Sequence, residues 1–174
     1  MTTPDGTVSR HFTAPDGTVS TAVYSLCDTY RYALRRVWGD APALAFVMLN
    51  PSTATEAAND PTIARCEARA RAGGHGGLII ANLFAFRATD PRDLRAAAAP
   101  IGPDNDRLLL DMCRNAGLIV AGWGVHGVHL DRAATVRALL RDSGVRLHTL
   151  GLTKHGHPRH PLYVSYAIQP EPWT

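Results

Sequence analysis

Ala43-Leu44-Ala45-Phe46-Val47-Met48-Leu49-Asn50-Pro51-Ser52 is the stretch on which the fold turns. Seven consecutive apolar residues without polar alternation have the pattern of a strand covered on both faces, as in a largely parallel sheet. The run ends abruptly at Pro51, which lacks an N–H for a ladder and fixes φ, so the strand stops there. Asn50 and Ser52 are thereby left at its carboxyl end.

Working outward, residues 29–37 alternate as a strand, with Tyr30, Tyr32 and Leu34 on one side and Arg31 and Arg35 toward the other. Further upstream, Pro4-Asp5-Gly6-Thr7-Val8-Ser9 recurs as Pro15-Asp16-Gly17-Thr18-Val19-Ser20, two hairpin-like turns that each lead into a short strand. Downstream, Asp60-Pro61 opens a helix with a good cap and a first-turn proline, and Gly73-Gly74 closes it. Its inward face carries Ile63, Cys66 and Ala70. Leu78-Ile79-Ile80-Ala81 is a second buried strand, residues 105–115 a helix and Leu118-Ile119-Val120-Ala121 a third strand. Residues 131–141 form another helix, with Ala134, Leu139 and Leu140 inward, before a fourth strand at 145–150.

Strand–helix alternation predicts an α/β fold, a three-layer α/β/α sandwich around a central, mostly parallel sheet. The chain reads as one domain, 1–174, with an N-terminal β extension over 1–40 and an α/β core over 41–174. Right-handed crossovers would bring the loops starting at Asn50, Asn82, Gly122 and Gly151 to one sheet edge, the edge where such folds bind ligands.

Composition narrows the chemistry less. A length of 174 residues suffices for a core without staples, and 45% hydrophobic with 19% charged residues is ordinary for a globular chain. Net charge is +3 and Arg far outnumbers Lys, which suits a phosphate-bearing partner because Arg binds phosphate oxygens in a fork. Cys27, Cys66 and Cys113 contain no C-x-x-C pair and read as buried free thiols of a reducing compartment. The N-terminus shows no basic region followed by an apolar run, and no stretch reaches membrane-span length, so a cytoplasmic location is expected. No phosphate loop, G-x-G-x-x-G fingerprint or nucleophile elbow occurs, which disfavours nucleotide triphosphate hydrolysis and nicotinamide chemistry; no cofactor is implied.

The candidate site residues follow from the loops. Asn50 has an amide that both donates and accepts, suited to orienting a water; Pro51 and Ser52 share its loop. Asn82 sits at the next strand end, followed by Phe84 and Arg87, an aromatic ring and a cation able to engage base and phosphate. Trp123 lies between two glycines after the third strand. Thr153-Lys154-His155-Gly156-His157-Pro158-Arg159-His160-Pro161-Leu162-Tyr163 is the densest polar cluster, and an imidazole there can act as acid, base or electrostatic stabiliser. His155, His157 and His160 have no matching fourth ligand for a metal; a solvated basic loop is the competing reading. Asp60 is explained as a helix cap and Asp90 as the opening of an Asp-Pro turn; Asn105 and Asp106 read as the cap of the following helix.

Met48-Leu49-Asn50-Pro51-Ser52-Thr53-Ala54, Asn59-Asp60-Pro61-Thr62, the segment from Asn82 to Pro91, Gly122-Trp123-Gly124 and the segment from Gly156 to Tyr163 occur in this order. Together they resemble the bacterial and phage domain-of-unknown-function family 1643 over nearly the whole chain. More distantly, the segment order is similar to that of the uracil-DNA glycosylase superfamily. That resemblance implies a glycosylase-like fold acting on an N-glycosidic bond in a nucleotide, nucleobase derivative or nucleic acid. It implies catalytic roles for Asn50 and His160, and substrate contacts from Pro51, Ser52, Asn82, Phe84, Arg87, Trp123, His157, Arg159 and Tyr163. This chain departs from the superfamily pattern at Ser52, where a glycine is expected, and at Leu162-Tyr163, where small residues are expected. A pocket that binds without cleaving is the alternative the same residues allow.

Overall fold

The computed structural model describes residues 6–173. In chain order these form β1 (Thr7–Thr13), β2 (Val19–Ser25), β3 (Arg31–Val37), β4 (Leu44–Met48), α1 (Pro61–Ala72), β5 (Gly77–Asn82), α2 (Pro91–Ala96), α3 (Asn105–Arg114), β6 (Leu118–Ala121), α4 (Arg132–Asp142), β7 (His148–Thr149) and β8 (Glu171–Pro172). Short 3₁₀ segments cover Val125–Asp131 and Pro161–Tyr163. No helix among the described residues is long and apolar enough to cross a membrane.

The fold is mixed α/β, and its eight strands make one sheet in the order β1-β2-β3-β5-β4-β6-β7-β8. Strand β4 runs parallel to β5 and β6, and β6 runs parallel to β7. The other four pairings are antiparallel, so the sheet as a whole is mixed rather than mostly parallel. The reason is local: the N-terminal strands join beside β5 as hairpins, and β8 returns alongside β7. Hairpins need only a tight turn, whereas each parallel pairing needs a helical crossover.

The second Pro-Asp-Gly is the β1–β2 turn, where Gly17 has φ +83° and Asp16 Oδ1 accepts from Thr18 N at 3.0 Å. The start of the first copy, Pro4-Asp5, lies outside the described residues. Within the expected fourth strand only His148 and Thr149 pair as a strand.

Alternation along the central strands divides the core. Leu44, Phe46, Met48, Leu78 and Ile80 face α1, packing with Ile63, Cys66 and Ala70. Ala45, Val47, Ile79 and Ala81 face the opposite way, onto Leu108, Leu109 and Met112 of α3 and Val136 and Leu140 of α4. Every residue of β4 and β5 is buried, as a strand covered on both faces requires. On α4 the inward residues are Arg132, Val136 and Leu140; Ala134 is exposed.

Asp60 caps α1 as expected, its Oδ1 accepting from Ile63 N at 2.8 Å. Asp90 does more than open a turn: it caps the six-residue α2, accepting from Arg92 N at 2.8 Å. At α3 the N-cap position is held by Asp104, without a side-chain cap bond, and not by Asn105, whose side chain turns inward.

Strand β3 departs from strict alternation. Val23 pairs with Ala33 but Tyr24 pairs with Arg31, so Tyr32 is an extra residue in the ladder. Tyr32 and Ala33 consequently share the α3 face, while Arg31, opposite Tyr24, turns to the α1 face with Leu34. Bulges of this kind re-aim a single side chain.

Candidate functional site

The carboxyl ends of β4, β5 and β6 lie side by side. Met48 is in register with Asn82 and Val47 with Ala121. Past the strands the backbone keeps pairing: Leu83 N donates to Met48 O at 2.9 Å, Phe84 N to Leu49 O at 3.0 Å and Gly122 N to Val47 O at 2.8 Å. A cavity of about 630 Å³ opens at this edge, also bounded by the start of α1 and the His160–Tyr163 segment. Its size is that of a small-molecule site.

Backbone contacts and a buried clamp carry the last segment there. Gly124 N donates to Pro158 O at 3.0 Å, and Arg159 N donates to Gly151 O at 2.9 Å. A Cβ on Gly122 would meet Pro161 Cδ at 2.9 Å and Met48 Sδ at 3.1 Å, so only glycine lets the Pro161 ring seat against the strand end. On α1, Arg65 donates to the carbonyls of Pro161 and Val164, and Arg69 to those of Val164, Ser165 and Ile168. Both guanidiniums also sit over the Tyr166 ring, at 4.2 and 5.2 Å.

Seven of the eleven residues singled out from the sequence line the cavity: Asn50, Ser52, Asn82, Trp123, Arg159, His160 and Tyr163. The other four do not. Pro51 is buried beneath the loop, its carbonyl accepting from Ala88 N. Phe84 is fully buried on the α3 face, its ring 5.5 Å from that of His129, so it is a core residue rather than a base-stacking platform. Arg87 turns toward the hairpin, donating to Asp28 O at 3.2 Å and lying 5.4 Å from the Tyr24 ring centre. His157 is tied back through its main chain to Thr153, closing its own turn.

Asn50 is held by its amide nitrogen, which donates to Pro51 O at 2.9 Å and Ala88 O at 2.7 Å. Its Oδ1 is thereby fixed in place as an acceptor with lone pairs to spare. Asn82 is only 1% exposed, yet neither Nδ2 nor Oδ1 has a hydrogen-bond partner. Leaving both ends of a buried amide unpaired costs on the order of 1–3 kcal/mol.

The backbone at Asn82 is nevertheless well anchored. Buried Asn105 donates to Asn82 O at 3.0 Å and Leu83 O at 2.9 Å, and Arg132 Nε donates to Leu83 O at 2.7 Å while its guanidinium pairs with Asp106. Two helix starts thus hold the carbonyls so that the side chain projects from a rigid base.

His160 caps the 3₁₀ turn after it, Nδ1 accepting from Leu162 N at 3.4 Å. That acceptor role puts the proton of the neutral ring on Nε2. Burial lowers the His160 pKa, opposed by the nearby Asp60 charge, so the ring is a neutral N–H donor at neutral pH. Asp60 is the one carboxylate among the described residues that lines the cavity.

Arg31 is the lining residue that alternation in the sequence misplaced. It is 1% exposed and lines the cavity on the α1 face. The signal would have been the bulge, which depends on the register against β2 and is not visible in β3 alone. Among the described residues, no group of His, Cys, Asp and Glu could hold a metal ion. Cys66 and Cys113 are buried, but Cys27 is exposed, beside Ser25 and Thr29.

Comparison with curated proteins and with solved structures returns no match. Residues 31–162 match the family described as Protein of unknown function (DUF1643), a span that runs from Arg31 through the cavity-lining loops to Leu162. The match covers well over half of the chain, and this protein belongs to the DUF1643 family.

Proposed function

We propose that the cavity binds a nucleobase, presented by a nucleotide or a nucleic acid, and that the chain hydrolyses the N-glycosidic bond of that base. The observation that carries the reading is Asn82: a buried amide with donor and acceptor both unspent, at the wall of a cavity of small-molecule size. An amide matches the adjacent donor and acceptor on the edge of a planar base, and pairing there relieves the cost of leaving it unpaired. The order of the sequence segments, from Asn50-Pro51 through Asn82 to His160-Pro161, is the ground for extending the proposal to a fold akin to the uracil-DNA glycosylase superfamily.

The chemistry follows from the remaining groups. Asn50 Oδ1, fixed by the two bonds its Nδ2 donates, accepts from a water and orients it. The water oxygen bonds to the anomeric carbon as the carbon–nitrogen bond breaks, and the bonding pair departs with the base. The Nε2–H of neutral His160 donates to the negative charge growing on the base, which is electrostatic stabilisation rather than proton transfer. The water's proton passes to the Asp60 carboxylate, whose Oδ2 is not used in the helix cap. Arg159, at the rim, is placed for a phosphate.

A binding module that holds the base without cleaving it is the second reading. It is favoured by Asn50, which cannot itself take a proton, and by the commitment of Asp60 Oδ1 to Ile63 N. The test is incubation with nucleosides, nucleotides and single- and double-stranded oligonucleotides, with released base quantified by mass spectrometry. Hydrolysis predicts base release that falls by about 100-fold or more in Asn50→Ala and His160→Ala while both keep native circular dichroism. Binding without release favours the module, and undiminished release in both variants overturns the assigned roles.

A further inference from the structure

Arg31 has a charge without a matching partner. Its NH1 donates to Ala54 O, Nε has no partner, and it takes part in none of the ion pairs of the described residues. The residue is only 1% exposed. Burial pulls its pKa down to about 10, with Tyr24 and Asp60 partly offsetting the effect, so it remains a cation at neutral pH. Asp60, lining the same cavity, and Arg87 act on it only through the field.

An isolated buried cation costs several kcal/mol unless something compensates it, and proteins rarely leave one without a reason. The chain also distorts a strand to keep it there. The extra residue at Tyr32 turns Arg31 away from the α3 face and onto the side of the sheet that carries Met48, Ile80 and Asn82. Backbone pairing fixes the position: Arg31 N donates to Ala85 O at 3.0 Å, in the loop that follows Asn82. The guanidinium and the unpaired amide are therefore displayed on one face of neighbouring strands, in one cavity.

We infer that Arg31 is the receptor for an anionic oxygen group, phosphate or carboxylate, carried by the same small ligand whose base edge pairs with Asn82. This deepens the base-binding reading and rests on it. Because Arg31 is reached from within the cavity and not from the outer surface, the anion belongs to a terminal group that enters the pocket. A phosphodiester within a polymer has chain leaving on both sides and suits the rim, where Arg159 lies. The ligand class is thus a free mononucleotide or a base bearing a carboxylate, and the two sources share the forked recognition that a guanidinium gives both anions.

The experiment compares paired probes by calorimetry: nucleoside 5′-monophosphates against their nucleosides, orotate against uracil, inorganic phosphate alone, and a short single-stranded oligonucleotide. The anionic member of at least one pair binds about 10- to 100-fold more tightly to the wild type, the range of a charge-assisted hydrogen bond. A phosphate preference identifies the mononucleotide, and an orotate preference the carboxylated base. In Arg31→Met the preference disappears while the neutral member binds as before; Arg31→Lys recovers part of it.

Thermal denaturation of the free protein accompanies the titration. Arg31→Met melts no lower than the wild type, because it removes an unpaired charge; a marked drop would assign Arg31 a structural role and overturn the inference. Equal affinities within every pair, tight binding of the oligonucleotide only, or a preference that survives in Arg31→Met would also overturn it. The base-binding reading fails separately: if phosphate alone binds as tightly as any nucleotide and Asn82→Leu changes nothing, an anion site stands without a base pocket.

Discussion

Replacing Asn82 by leucine separates what the fold needs from what the site needs. The side chain is 1% exposed, its two polar atoms have no partner, and it abuts the apolar Met48 and Ile80 face. Leucine has the same number and branching of side-chain heavy atoms, and the cavity that Asn82 lines takes up the added volume of its methyl groups. It removes the cost of a buried unpaired amide, on the order of 1–3 kcal/mol, and adds apolar contact. Asn82 O, which accepts from Asn105, is a main-chain group and survives the change. The ligand-free protein should therefore gain about 2 kcal/mol in urea denaturation, a rise of about 4–8 °C in melting temperature for a chain of this length. On the proposed function, nucleotide should raise the melting temperature of the wild type, and the same variant should lose that rise. A loss of about 1 kcal/mol or more in the free protein would refute the reasoning, since it would mean that the amide serves the fold. So would retention of the full ligand response.

Three further outcomes follow from the geometry. Gly122→Ala drives a Cβ to 2.9 Å from Pro161 Cδ, so the His160–Tyr163 segment must shift; a cost of about 1–3 kcal/mol and a larger loss of ligand binding are expected, measured by urea denaturation and calorimetry. His160 has a folded-state pKa below its ordinary 6.5, so the unfolded chain binds the proton more readily. Its contribution to stability is present above about pH 6.5 and fades as pH falls through that value; His160→Gln should flatten this slope, and an unchanged slope would show that the ring is not buried as described. Hydrogen bonding with Ser25 and Thr29 lowers the exposed Cys27 thiol to about 7, whereas burial raises Cys113 to about 12 and raises Cys66 as well. Iodoacetamide should modify one thiol per native chain, with a rate that rises through about pH 7; three equal rates would contradict the burial pattern.

The elements that were legible in the sequence are those whose pattern is set by burial alone. Leu44–Met48 and Gly77–Asn82 are continuous apolar runs because both faces are covered, and Pro61–Ala72 is bracketed by its own cap and glycines. The mixed sheet was not legible, because antiparallel entry of the hairpin beside β5 depends on long-range pairing with β3. Seven lining residues could be found because they follow strand ends. Phe84 could not be separated from them by type, since an aromatic after a strand packs equally well on either face. Arg31 was hidden by a bulge, and the grip of Arg65 and Arg69 on the C-terminal segment joins residues nearly a hundred positions apart, which no local pattern marks. Asn105 looked like a cap, and its role in holding the Asn82 carbonyl needs a partner 23 residues away.

The proposed function requires a base edge to meet the Asn82 amide, and the side-chain amide protons of Asn82 report on that directly. In a proton–nitrogen correlation spectrum, assigned by comparison with Asn82→Leu, titration with a tight-binding nucleotide should move the Asn82 pair more than those of Asn59 or Asn115, which lie off the cavity. The shift should saturate at the stoichiometry measured by calorimetry. Saturating ligand that leaves the Asn82 resonances in place would contradict the central claim.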